Sequence, residues 1–153
     1  MESRIIKRNV ALVEKCTMSS VGINSLFNTM PDDQYKLHLF SSQPTFSQAM
    51  LKMSFSAVIF SLSAIRSDRR AGLAYLTELA INFPRIHRVV IADDDAEARL
   101  IGSLSPLPLD GVVSKASSLT VLQDALLTAL SCPSRGTEST KNHWYINQSR
   151  MLR

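Results

Sequence analysis

Five short, charge-poor apolar runs, each followed by a stretch of helical periodicity, set what this 153-residue chain can fold into. The first run, Arg8-Asn9-Val10-Ala11-Leu12-Val13, is β-branched and too short for a helix, so it reads as a buried strand. Tyr35 to Phe40 alternates polar and apolar residues, as an edge or half-covered strand does. Phe55 to Phe60 contains no charge and reads as the central strand. Arg88-Val89-Val90-Ile91-Ala92 and Gly111-Val112-Val113 complete the set.

Between the runs lie helical patterns. Thr17 is placed to cap a helix through Phe27, and Asn28 to Asp33 form a Pro-containing turn. Thr45 to Met53 predicts a short helix. A polar loop, Ser63 to Arg69, precedes a helix over Arg70 to Asn82 that Pro84 stops. Asp93-Asp94-Asp95 caps a helix starting at Ala96, and Ser117 or Ser118 caps a last helix through about Leu130. Strands that alternate with helices build a parallel sheet covered on both faces. The expected architecture is a flavodoxin-like, doubly wound (βα)5 α/β domain with strand order 2-1-3-4-5.

The length suits one domain with a substantial core. With 45 % hydrophobic and 20 % charged residues, the composition argues against disorder. No apolar run reaches the roughly 20 residues that a membrane span requires. The opening Met1-Glu2-Ser3-Arg4 does not lead into a signal-peptide core, so the chain reads as cytoplasmic. Cys16 and Cys132 read as free thiols. His38, His87 and His143 are equally scattered, and no metal or cofactor is expected. The net charge of +4 comes from 17 dispersed Lys and Arg residues, without a base-reading basic helix. From Ser131 the sequence takes on linker composition, followed by the apolar cluster Trp144-Tyr145-Ile146.

In an open α/β sheet, function sits at the carboxyl ends of the strands. That edge carries Glu14 and Lys15, Ser61, Ala92 and Lys115. The spacing resembles the receiver domain of bacterial response regulators, which place two acidic residues, a phospho-acceptor Asp, a Thr or Ser, and a Lys at those five points. Val112-Val113-Ser114-Lys115-Ala116 carries the lysine-bearing end, and Phe83-Pro84 is typical of the NarL/FixJ branch.

Within that branch the chain resembles the BglJ-type transcriptional activators, an RcsB-related, LuxR-type group. The resemblance spans the whole chain and rests on Asn9 to Lys15, Ala92 to Ser105 and Trp144 to Arg150. It implies a receiver-like domain over 1–131 and a linker over 132–153 leading toward a LuxR-type helix-turn-helix domain. It also implies heterodimerisation with an RcsB-type response regulator, with DNA contacted only through that further domain.

The departures from the receiver pattern bear on chemistry. Phosphoryl transfer needs a carboxylate acceptor and a Mg²⁺ held by neighbouring acidic groups. Three of the five roles are gone, with Ser61 at the acceptor position, Lys15 at a metal-binding position and Ala92 in place of the hydroxyl, while Lys115 survives. The ammonium of Lys15 repels Mg²⁺ and is placed to satisfy Glu14, while Lys115 can pair with Glu14 across the old pocket. Phosphorylation is expected to be lost, and no catalytic set can be assembled. Three consecutive Asp residues at 93–95 suit a helix start better than an ion. Arg66, Arg69 and Arg70 read as a solvated loop, with a partner contact as the sharper option.

The helices carry the stronger functional signal. In the first, Met18, Gly22 and Leu26 read as the core stripe, leaving Ile23 and Phe27 toward the flank. In the last, Leu119, Leu122, Leu126, Ala129 and Leu130 cover the sheet, leaving Val121, Ala125 and Leu127 off the stripe. These surplus residues predict a dimer interface. The expected function is therefore a non-phosphorylatable pairing domain of a transcription activator. The alternative is a ligand-sensing pseudo-receiver that takes a small anion or nucleotide near Lys15 and Lys115, although no glycine-rich phosphate loop is present.

Overall fold

The computed structural model describes residues 7–29 and 34–131. Cys132, His143, the linker, the Trp144 cluster and part of the turn before residue 34 lie outside the described residues. Ten elements alternate along the chain: β1 (Arg8–Val13), α1 (Thr17–Asn28), β2 (Tyr35–Phe40), α2 (Gln43–Met50), β3 (Ala57–Ser61), α3 (Arg66–Asn82), β4 (His87–Ala92), α4 (Asp95–Leu104), β5 (Gly111–Ser114) and α5 (Leu119–Ser131). The strands form one parallel sheet in the order β2-β1-β3-β4-β5, as expected.

Period-two alternation divides the core between the two faces of the sheet. Val10, Leu12, Ile59, Val89, Ile91 and Val113 pack beneath α1 and α5. Ala11, Val13, Val58, Phe60, Val90 and Val112 pack against α2, α3 and α4. The topology places every β-to-α connection at the carboxyl edge of the sheet, where Glu14, Ser61, Asp93 and Lys115 gather.

Several helix starts differ from expectation. Cys16, with extended backbone, occupies the cap position of α1, and Thr17 is its first helical residue. α2 begins at Gln43 because the Ser42 side chain accepts from the Thr45 amide at 3.4 Å, and Pro44 suits a first turn that needs no amide donor. α3 begins at Arg66, a turn earlier than its polar leader suggested, so Arg66, Arg69 and Arg70 belong to the helix. Asp94 caps α4 by accepting from the Glu97 amide at 2.8 Å. Ser118 rather than Ser117 caps α5, accepting from the Val121 amide at 3.3 Å.

The helical phase of α1 also needs correcting. Ser20, Ile23, Leu26 and Phe27 are its buried residues, whereas Met18 and Gly22 face outward. Ile23 is 6 % exposed and Phe27 9 %, so both are core residues within this chain. In α5, Leu122, Leu126, Ala129 and Leu130 are buried as expected, but Leu119 is 71 % exposed. Val121 is exposed, and Ala125 and Leu127 are half-buried against the core.

Candidate functional site

β1 delivers Glu14 to the carboxyl edge and fixes its backbone, since the Glu14 amide donates to Phe40 O of β2 at 2.9 Å. Its side chain turns back into the protein. Lys115 Nζ donates to Glu14 Oε1 at 3.1 Å, and the Cys16 amide donates to Oε2 at 3.0 Å. Burial alone pushes the carboxyl's pKa up. The Cys16 amide, the Ser61 hydroxyl and Lys115 together outweigh it and hold Glu14 below the ordinary carboxylate value. The cationic partner is thus Lys115; Lys15 is exposed at the rim.

A cleft of about 620 Å³ opens at this edge. Glu14, Lys15, Ser61 and Lys115 all line it, together with Asp93 of the triple-Asp run and with Ser41, Ser42 and Asp68, which sequence reasoning did not single out. Its walls are apolar where Phe60, Leu62 and Ile65 contribute. Ala92 is not among the lining residues. It is fully buried, and its carbonyl accepts from the Lys115 amide at 2.9 Å, so it sets the height of Lys115 from below.

Chemically, the cleft holds the neutral hydroxyl of Ser61. Its buried carboxylate is already neutralised by an ammonium. Among the described residues, no group of three His, Cys, Asp or Glu side chains is arranged to hold a metal ion. Cys16 is exposed at the rim, and the Ser19 amide and hydroxyl and the Met18 amide hold its thiol pKa below the ordinary value.

Arg69 turns out to have an internal partner. Its Nη1 lies 2.9 Å from Glu97 Oε1, joining the first turns of α3 and α4 beside the cleft. The opposite edge holds a feature that sequence reasoning missed. Arg88 is fully buried in β4, donating to Leu76 O of α3 at 3.1 Å and to Pro108 O before β5. Its amide donates to Asp110 Oδ2 at 2.7 Å. Opposite charges at the same end of two neighbouring apolar runs were the available signal.

The second feature is the face that α1 and α5 share. Gln123 Nε2 of α5 donates to Leu26 O and Thr29 Oγ1 of α1, both at 3.3 Å, which holds the two helices side by side. The twelve residues of α1 carry no charge, and the thirteen of α5 carry one, Asp124. Met18 (84 % exposed), Val21, Leu119 and Val121 are exposed apolar residues of this helix pair. Surfaces depleted of charge and supplied with large apolar groups are the compositional mark of interface cores.

No family model matches the chain. It is 61 % identical, over 150 residues, to the transcriptional activator protein BglJ of Escherichia coli strain K12, covering 98 % of this chain and 67 % of that protein. Among solved structures it resembles RcsB of Salmonella enterica serovar Typhimurium, bound to a promoter with a phosphomimetic BeF₃⁻, at TM-score 0.65 and 20 % identity. That match covers 80 % of this chain and 61 % of the RcsB chain, so the chain spans less than two thirds of that protein. A signal receiver domain of an HD-domain protein from Pseudomonas fluorescens Pf-5 matches at TM-score 0.63 and 18 % identity, over 81 % of this chain and 94 % of that one. The structural likenesses establish a receiver fold.

Proposed function

The chain belongs to the BglJ family of transcriptional activators, and from that premise we propose that its receiver-like domain works without phosphorylation, by pairing. The partner is an RcsB-type response regulator, and the contact is made through α1 and α5. Pairing then sets the spacing at which helix-turn-helix domains, reached through the linker 132–153, meet their half-sites in the cytoplasm. The observation that carries this reading is the charge-poor, apolar face of α1 and α5, taken with Ser61 in place of an acceptor carboxylate. The residues offered to the partner are Met18, Val21, Leu119 and Val121, flanked by Ala125 and Leu127. Ile23 and Phe27 support that face from beneath.

Light scattering on a sizing column, with the chain mixed with an RcsB receiver domain, tests the reading. A mixed dimer is expected, and it should disappear in Met18→Asp/Val21→Asp, which alters exposed positions and spares the core. If no complex forms at tens of micromolar, roughly the range for weak domain pairs, pairing through this domain is excluded.

A second reading, a small anion or nucleotide in the cleft, is favoured by the cleft's size. The three carboxylates on its wall, Glu14, Asp68 and Asp93, against Lys15 and Lys115 weigh against it. Thermal shift with inorganic phosphate and nucleotides would show stabilisation if this second reading is right.

A further inference from the structure

Asp124 is the one charged residue of α1 and α5, and it is exposed. It lies midway along the outward stripe of α5, between the exposed Thr120 and Thr128 at four-residue spacing. We propose that Asp124 selects the partner: it fits a domain that presents Lys or Arg against it and disfavours a second copy of this chain. The inference rests on the reading of α1 and α5 as the pairing face.

A two-fold contact between identical chains brings the same patch from both sides. The α1 and α5 of a second copy offer no Lys, Arg or His, and they add a second Asp124. The carboxylate would then lose water at the contact and meet no cation from either facing helix, with like charge nearby. The basic residues that precede the two helices do not change this. Lys15 and Lys115 both line the cleft at the carboxyl edge, and Lys115 is engaged by Glu14. The two helices of a second copy therefore supply no cation against Asp124, whereas a different protein can. On so charge-poor a face, a single oppositely charged contact discriminates between partners more than it adds to affinity.

The experiment compares the wild-type chain with Asp124→Asn and Asp124→Glu by analytical ultracentrifugation, alone and mixed with an RcsB receiver domain, at low and high salt. Both substitutions fall at one exposed site of α5, and matched thermal melts of the three proteins establish that they fold alike. Asp124→Asn is expected to self-associate about 3–10-fold more tightly, to lose about tenfold in mixed-pair affinity, and to lose the salt dependence of that affinity. Asp124→Glu should retain wild-type selectivity. Unchanged self-association and mixed affinity in Asp124→Asn would overturn the proposal. A wild-type chain that forms no mixed pair defeats the pairing reading instead, while stronger self-association of Asp124→Asn would still uphold the role of Asp124 against a second copy.

Discussion

Lys115 Nζ lies 3.1 Å from Glu14 Oε1, joining residues 101 positions apart at the carboxyl edge of the sheet. The pair neutralises the carboxylate inside the protein. Lys115→Met would leave Glu14 buried with the Cys16 amide and the Ser61 hydroxyl but without its cation. Because the ammonium is about a third exposed, the expected loss is about 1–2 kcal/mol, below that for a wholly buried pair. Urea denaturation measures it, and an unchanged midpoint would remove the ion pair from any account of stability.

The same carboxylate gives a pH dependence of defined sign. Glu14 has a lower pKa folded than its ordinary value of 4.5, so the unfolded chain binds more protons in the acid range. The stability it contributes is fully present above pH 4.5 and is lost as pH falls through the folded value. Glu14→Gln should flatten the acid limb of the stability curve below that pH. An acid limb that keeps its slope in the variant would assign it to other carboxylates.

Acetyl phosphate with Mg²⁺ should leave the wild-type chain unlabelled, since a serine hydroxyl cannot form an acyl phosphate. Ser61→Asp alone is also expected to stay unlabelled, because the ammonium of Lys15 on the cleft wall repels Mg²⁺. Lys15→Asp/Ser61→Asp restores two carboxylates beside Glu14 and is the variant expected to gain label. Labelling of the single variant, read by intact-protein mass spectrometry, would free Lys15 from that blocking role.

Two glycines predict opposite outcomes for one substitution. A Cβ at Gly22 meets nothing within 4 Å, so Gly22→Ala should stabilise by about 0.5–1 kcal/mol through helix propensity. A Cβ at Gly72 would run into the Cδ2 atom of buried Leu62, and Gly72→Ala should cost about 1–3 kcal/mol as that side chain is displaced. Thermal melts of the two variants should move in opposite directions. A shared sign would mean that close packing of α3 on Leu62 is relieved at little cost.

The strands were legible because a parallel sheet buried on both faces requires the short β-branched runs the sequence displays. Their order followed from the alternation with helices. Helix phase was not legible for α1. Its apolar residues surround the axis, and the stripe Met18-Gly22-Leu26 competes with Ile23-Leu26-Phe27 on nearly equal terms until the sheet selects one. The early start of α3 was hidden by polar residues that serve equally as loop and as exposed first turn. Glu14, Lys15, Ser61 and Lys115 line one cleft, because strand ends converge in this topology. Ala92 sits beneath them instead. Arg88 was missed for a different reason: a charge at the margin of an apolar run looks solvated, and its partners at Leu76, Pro108 and Asp110 come from other elements.

β1 is made first yet lies between β2 and β3, while β5 and α5 are made last and complete one end of the sheet. Nearly all pairing is therefore non-local in sequence, which slows folding relative to helical domains of this size. A nascent chain halted before Gly111 has β4 as an open edge and lacks the α5 residues that shield Val89 and Ile91. Translation must deliver α5 before β4 is covered, so an arrested or truncated product of this chain is a candidate for chaperone capture and proteolysis.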